Sequence, residues 1–400
     1  MSLPKACNIL IIGGGVVGLA IARALRINGV EDIVVIEKEA SVGLHASGRN
    51  SGVMHAGIYY QHDSLKAKYC RQGSQLMQKY CDHHGLKVSR TGKVIVAKNY
   101  HEVSTLSDLY DRSKKNGARV TIIDEKTLKE IEPEAKTCEK ALWSHDTAVV
   151  DPKAIMEKLA TDLKDLGVVI VTNCRFLKSQ KNKKVSTSKG SIHYQFVINA
   201  AGSFADVVAH AFDVGKTYSL LPFKGVYQKC RQNSSVSRVK GNIYPVPDLR
   251  NPFLGVHFTR SISGDVYVGP TAIPCFGREN YRGLQGIGIE GLSILSSSMR
   301  LLMTNSGFRQ VAFTEPKKYL HYFLYQDAKK LVQTLNYRDL CKTLKVGIRS
   351  QLIHWPTHSL VMDFLIEKGE HSLHILNAIS PAFTCSMSMA EEVVNHYKDK

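Results

Sequence analysis

The sequence predicts an α/β chain, α+β overall, in which a parallel-sheet domain of Rossmann type is interrupted by an antiparallel-sheet domain. Three observations carry this expectation. A glycine-patterned strand–turn–helix opens the chain, with a second buried strand behind it. Further buried-strand runs return near Val168 and Tyr194. Between and after them lie shorter alternating runs punctuated by turn residues, the signature of antiparallel strands. At 400 residues, 44% of them apolar and 22% charged, the chain is long enough for two cores and too apolar for disorder.

The first element reads "NILIIGGGVVGLAIARALRINGV". Ile9 to Ile12 form a short apolar run that feeds Gly13-x-Gly15-x-x-Gly18, and Val16 and Val17 open an apolar helix pattern. The first glycine permits a tight turn, the second lets backbone approach a pyrophosphate, and the third lets helix pack on strand. The helix N-terminus offers N–H groups and the positive end of a dipole to that anion. "DIVVIEKE" then gives a second buried strand ending at Glu37 and Lys38, where an acidic side chain accepts from the two hydroxyls of an adenosine ribose. Strand, turn, helix and acid at these spacings make a dinucleotide fingerprint. It does not choose between NAD and FAD.

A later run, "YQFVINAAGSFAD", reads as a strand ending in Asn199, Ala200, Ala201 and Gly202, small residues that allow close passage of a ligand. Upstream, "VVIVTNCRF" reads as a strand whose end near Phe176 offers backbone groups to an adenine ring. In this order the elements resemble glutathione-reductase-like flavoproteins of the D-amino-acid-oxidase type. That resemblance implies an FAD-binding Rossmann-type domain with the cofactor extended across the sheet.

The FAD-binding domain is then discontinuous, at 1–88, 146–218 and 342–400, with the substrate domain at 89–145 and 219–341. Strands are expected at 92–97, 224–229, 253–259 and 264–270, with a turn at Ser263-Gly264-Asp265. Residues 317–336, "KKYLHYFLYQDAKKLVQTLN", read as one basic, aromatic-rich helix. Such a helix packs its aromatic face on the substrate domain or lies on an anionic membrane.

The formal net charge of +18 suits polyanions, anionic membranes or acidic substrates. The basic residues are spread along the chain, and the cluster Lys178 to Lys184 reads as a solvated turn, so nucleic acid is not an expected partner. Nine cysteines show neither Cys-x-x-Cys pairing nor metal-ligand spacing and read as reduced, packed thiols. No apolar run reaches the ~18–20 residues of a spanning helix. The strand pattern begins within a few residues of Met1, so a cytoplasmic or already processed chain is expected, with peripheral contact to the inner face of a membrane as an option.

Three stretches then resemble one family. They are "GRNSGVMHAGIYYQHDSLKAKYCRQG" (Gly48 to Gly73), "KGNIYPVPDLRNPFLGVHFT" (Lys240 to Thr259) and "HILNAISPAFTCSMSMAEEVV" near the C-terminus. Together they look like the FAD-dependent L-2-hydroxyglutarate dehydrogenase/oxidase family, over nearly the whole chain and most weakly in 285–345. The resemblance implies oxidation of L-2-hydroxyglutarate to 2-oxoglutarate, with electrons passed to oxygen or a quinone pool. One segment departs from the family pattern. Where many members carry a "DGxxxDDF"-like run after an arginine, this chain reads "HWPTHSLVMDF", which implies a differently built loop.

Oxidising a 2-hydroxy acid on a flavin requires a base for the hydroxyl proton and cations for the carboxylates. Arg49, Asn50, Ser51 and Gly52 suit the pyrophosphate and ribityl chain. His55, three residues on, is one candidate base, or alternatively a tether to the flavin or a structural histidine. His257 is the competing base, with Phe253, Gly255 and His257 expected on one strand face. Arg349 is the third catalytic candidate, as a carboxylate clamp or stabiliser of reduced flavin. Ser380, Pro381 and Ala382 suit a helix N-terminus aimed at flavin O2. Tyr59, Tyr60, Lys66 and Arg71 are candidates for the substrate pocket, and Lys240 is a further cation. The same fold acting on an amino acid, a secondary amine or glycerol 3-phosphate, and a flavoprotein acting on tRNA, stay open as alternatives.

Overall fold

The computed structural model describes residues 2–248, 253–283 and 285–398. Residues 249–252, inside the family-like stretch from Lys240 to Thr259, lie outside the described residues. The chain divides into two compact units. The first comprises Met1–Asn50, Pro152–Pro222 and Arg349–Lys400, and the second Ser51–Asp151 and Phe223–Ile348. Residues 51–88, expected with the first unit, pack within the second.

In the first unit a parallel sheet orders its strands Ser372–Ile375, Gly190–Asn199, Ala6–Ile12, Ile33–Ile36 and Val169–Val171. Ile9, Leu10 and Ile11 are fully buried and Ile33 to Ile36 nearly so, as strands covered on both faces must be. The Val16–Ile27 helix packs against Ala382–Lys398 and Pro152–Asp165. An antiparallel hairpin, Phe176–Gln180 with Lys184–Thr187, extends from the start of the Gly190–Asn199 strand. The Lys178–Lys184 cluster thus occupies this hairpin, with Asn182 and Lys183 at positive φ in its turn. Phe176 begins the hairpin rather than ending the preceding strand, and its ring lies over Phe212.

The second unit is built on a mixed sheet in the order Tyr218–Cys230, Val266–Gly269, His257–Arg260, Asn242–Pro245, Lys93–Val96, Lys140–Ser144 and Val120–Asp124. Only the Asn242–Pro245/Lys93–Val96 pair is parallel among these neighbours whose register is defined. One face carries a core including Val94, Val96, Ile243, Phe258, Val266 and Val268. Ile95, Leu142, Tyr244 and Tyr59 join a second cluster with the Tyr100–Lys115 helix.

Two expectations about this unit are corrected. The strand foreseen at 253–259 begins only at His257, because Gly255 has φ +77 and breaks the extended run. Phe253, Gly255 and His257 therefore do not share a strand face, and Phe253 instead lies against Phe223. The single helix foreseen at 317–336 is a 3₁₀ turn at Pro316–Tyr319 followed by a helix at His321–Ala328. Beyond Ala328 the backbone bonds elsewhere. Lys136 N donates to the Leu331 carbonyl, Gln333 N donates to the Glu134 carbonyl, and Val332 bridges Ala135. Backbone groups spent on that extended pairing cannot continue a helix.

All nine cysteines are free thiols, seven of them buried. Cys174 lies in a loop, not in a strand. Among the described residues no helix is long and apolar enough to cross a membrane.

Candidate active site

The glycine turn of the first unit is built by exclusion. Gly13 has φ +116, and a Cβ there would meet the Ala200 carbonyl oxygen at 2.4 Å. A Cβ on Gly18 would stand 2.0 Å from the Gly13 oxygen. Neither position admits a side chain, so backbone from the Ala6–Ile12 turn, the Val16–Ile27 helix and Ala200–Ala201 is brought into contact. Gly15 is the N-cap of that helix and has no capping side-chain bond of its own. Instead Ser47 Oγ accepts from Val16 N at 2.9 Å. Ser47 was not foreseen, because its partner lies 31 residues away.

Glu37 is buried at the end of its strand. Its Oε2 accepts from Gly14 N at 2.8 Å and its Oε1 from Glu39 N at 2.9 Å. The carboxylate therefore fixes the glycine turn, and its two oxygens retain lone pairs for a ribose. Lys38 donates to Glu39 and meets His45 Nε2 at 3.0 Å, and this lysine holds the Glu39 carboxyl down to about 2. Arg49 Nε donates to the Leu44 carbonyl and Asn50 Nδ2 to that of Ser47, so both brace the short Ala46–Arg49 turn of helix. Ala201 N donates to Asn199 Oδ1, and Gly202 takes φ +56, which carries the chain sharply away from the strand end. Ser380 and Pro381 directly precede the Ala382–Lys398 helix. Arg349 is half-buried on the Leu340–His354 strand, next to Ser350, whose hydroxyl donates to Ser203.

The second unit holds the remaining candidates. Ser51 bonds the buried Tyr227 hydroxyl, and Gly52, at φ +76, accepts from Val150 N. His55 is buried just past the Val53–Met54 strand, and its carbonyl accepts from Cys70 Sγ at 3.3 Å. Tyr59 is buried in the hydrophobic cluster, with its carbonyl bound by Arg112. Lys66, buried in the first turn of the Leu65–His83 helix, points its ammonium at the Tyr60 ring, 6.0 Å from the centroid. Arg71 stands apart. It is exposed on that helix, against the turn at Gly117, so the structure does not bring it to the buried cluster. Lys240 is engaged elsewhere, its backbone N–H donating to Glu132.

His257 is buried, with its imidazole flat on the Tyr244 ring, centroids 3.8 Å apart and planes 17° from parallel. The His257 Nδ1 contact with the Gly255 carbonyl is 2.9 Å. A carbonyl only accepts, so Nδ1 carries the proton and Nε2 carries the lone pair. Burial holds the imidazolium down to about 3, with the Lys93 charge adding to that effect. The ring is thus a neutral acceptor at every physiological pH. Lys93 and Tyr244 were not foreseen. Lys93 opens "KVIV" and resembles a solvated strand end, and only the pairing of two strands far apart in sequence reveals the cluster.

The fold and the glycine cradle define a dinucleotide-binding protein, and comparison with known proteins shows which kind. The family model described as FAD dependent oxidoreductase matches residues 8–396, and the chain belongs to that family. Its cofactor is FAD, which Gly13, Gly18, Glu37 and the helix N-terminus at Gly15 fit. Within the family it is 34% identical to the L-2-hydroxyglutarate dehydrogenase of Indibacter alkaliphilus, over 96% of this chain and 97% of that one. It is 35% identical to the mitochondrial L-2-hydroxyglutarate dehydrogenase of Nematostella vectensis, covering 97% and 90%, and 32% identical to that of Homo sapiens, covering 98% and 89%. The FAD-bound L-alpha-glycerophosphate oxidase of Mycoplasma pneumoniae shares the fold, with a TM-score of 0.79 at 22% identity over 99% of this chain and 96% of that one.

Proposed function

We propose that the protein oxidises L-2-hydroxyglutarate to 2-oxoglutarate and passes the electrons to oxygen or a membrane quinone. The observation that carries the catalytic assignment is the tautomer of His257. Bound FAD supplies a hydride acceptor at N5. The chain supplies the base: His257 Nε2 takes the C2 hydroxyl proton as the C2 hydrogen leaves with its electron pair and the carbonyl forms. An imidazole desolvated to this degree is a weak base by itself. Two substrate carboxylates in the same low-dielectric surroundings raise its basicity, so the base strengthens when the substrate dianion arrives. The Arg349 fork, which meets two oxygens at once, suits a carboxylate. His55 shapes the surroundings through its backbone.

The same reading includes an anionic membrane surface. Ile289 is 92% exposed, Leu292 74% and Met303 71%. They lie on the Glu290–Thr304 helix and its lead-in, with Tyr319, Leu320 and Tyr322 also exposed nearby in sequence and Lys317, Arg300 and Arg309 solvated among them. Apolar side chains interleaved with cations suit the headgroup region of an anionic bilayer.

Anaerobic addition of L-2-hydroxyglutarate to the purified flavoprotein tests the reaction. Bleaching of the flavin band by this substrate is expected. Bleaching by glycine, sarcosine or glycerol 3-phosphate, with none by L-2-hydroxyglutarate, would overturn it.

A further inference from the structure

Lys93 is a fully buried lysine whose Nζ has no hydrogen-bond partner among the described residues. A buried ammonium without partners is costly, and chains rarely retain one without use. Its surroundings are specific. Nζ stands 4.5 Å from the centroid of the Tyr59 ring and 4.8 Å from that of Tyr244. The Tyr59 hydroxyl also lacks a hydrogen-bond partner among the described residues.

The sheet explains the arrangement. Tyr244 pairs with Ile95 on the Lys93–Val96 strand. Lys93 and Ile95 share a face, since residues two apart do. In strand order Tyr244 therefore lies between Lys93 and His257. One row of side chains runs lysine, tyrosine, histidine, with the cation at one end and the imidazole stacked at the other.

We propose that Lys93 is a positioning residue for His257: its amine, held on the faces of Tyr59 and Tyr244, fixes the Tyr244 ring against the imidazole and directs a positive charge at it. The inference rests on the reading of His257 as the base. Two consequences follow from the chemistry. The stack orients Nε2, and below about pH 7 the neighbouring charge adds to burial in disfavouring the imidazolium. The titratable groups that share this cluster are Cys70 from the Leu65–His83 helix, Tyr59, Tyr227 and Tyr244. Burial raises the hydroxyl pKa of the three tyrosines, so they stay neutral and leave Lys93 as the charge that His257 meets below about pH 7, the value to which burial pulls the ammonium.

The test uses the FAD-loaded protein with Lys93→Met and Lys93→Arg, and reads the His257 imidazole by nitrogen-15 NMR as pH is varied, assigned with His257→Asn. Methionine keeps the length and volume of the stem, and arginine keeps the charge and cation–π contact. In Lys93→Met the His257 titration is expected to move up by about one pH unit or more, as loss of a neighbouring charge requires. The acidic limb of the kcat profile should move with it, while KM for L-2-hydroxyglutarate stays within about threefold. Lys93→Arg should restore the wild-type titration. An unmoved His257 titration in a folded Lys93→Met protein would overturn the proposal. So would a kcat loss that Lys93→Arg fails to rescue while the titration stays put. If His257→Asn reduces flavin at the wild-type rate, the base assignment fails by itself, and the NMR titration still decides whether Lys93 acts on the imidazole.

Discussion

Tyr244 and His257 form a stacked pair from adjacent strands, centroids 3.8 Å apart, and the imidazole's Nδ1–H is spent on the Gly255 carbonyl. A ring whose plane and tautomer are both fixed leaves one degree of chemical freedom, the Nε2 lone pair. His257→Asn is therefore expected to lower the rate constant for flavin reduction by ~10²–10⁴-fold. FAD content and substrate Kd should change little, because the proposed mechanism assigns the side chain to proton transfer and the glycine cradle lies on other strands. Anaerobic stopped-flow with L-2-hydroxyglutarate reads this. A reduction rate within about a factor of two of wild type removes His257 from the chemistry.

Acid stability follows from the buried imidazoles. Desolvation holds His257 down to about 3 and His374 to about 4. Unfolded, both titrate near ~6.5. As pH falls below about 6.5 the unfolded chain binds protons that the folded chain refuses, so stability falls with falling pH until about pH 3–4. Each group contributes a slope of up to about 1.4 kcal/mol per pH unit in that window. Urea midpoints measured from pH 7 to 4 should show a shallower decline in His257→Asn than in wild type. Equal slopes would contradict the buried neutral state.

Much of the first unit was legible because its determinants are local. Gly13, Gly15, Gly18 and Glu37 lie within one strand–turn–helix–strand, and sterics at each glycine follow from the turn itself. The cluster around His257 was legible only in part. The histidine stood out in sequence, but alternation through Phe253 and Gly255 suggested a strand that a positive φ at Gly255 forbids. Lys93 and Tyr244 gave no local signal, since a lysine at a strand end is usually solvated. Their meaning comes from strand order, which only tertiary pairing sets. The helix foreseen through residue 336 failed for a related reason. Leu324, Ala328, Leu331 and Leu335 recur at helical spacing and all reach the core, yet the backbone around Val332 pairs with Ala135 instead.

Replacing Lys93 with methionine should also stabilise the protein near neutral pH. Burial pulls the ammonium down to about 7, against ~10.4 in the unfolded chain. Below about pH 7 both states carry the proton and the folded state bears the full cost of a buried charge. That cost shrinks as pH rises from 7 to about 10.4, where both states become neutral. Lys93→Met should raise stability by about 1–3 kcal/mol at pH 6–7, and the gain should fade by pH 10. Calorimetry at those pH values checks it. A gain independent of pH would mean that packing, not charge, dominates the site.

Gly13→Ala tests the cradle directly. The added methyl would lie 2.4 Å from the Ala200 oxygen at a φ of +116, so either the turn opens or the Ala200–Ala201 backbone withdraws. Both outcomes displace the backbone that the fingerprint assigns to the dinucleotide. The variant should purify with less than about a tenth of the FAD of wild type, a loss of at least ~1.4 kcal/mol in binding. The ratio of flavin absorbance to protein absorbance reads it. Full flavin content would show that the turn tolerates a side chain and that the steric argument fails.

The exposed helix surface makes the last prediction. Leu292 and Met303 are 74% and 71% exposed, and a helix in water gains nothing from such side chains. Burying a large apolar side chain is worth roughly 1.5–3 kcal/mol when complete, and less when it only enters a headgroup region. Leu292→Ser with Met303→Ser is therefore expected to weaken binding to phosphatidylserine vesicles by about tenfold or more. Lys317→Glu should weaken it further at low salt and have less effect at high salt, because surface charge is screened within a Debye length. Flavin reduction by L-2-hydroxyglutarate in solution should be unchanged in both variants. Co-sedimentation over a salt series gives the answer. If wild type does not sediment with anionic vesicles, the surface is not a membrane face, whatever the enzyme does with its substrate.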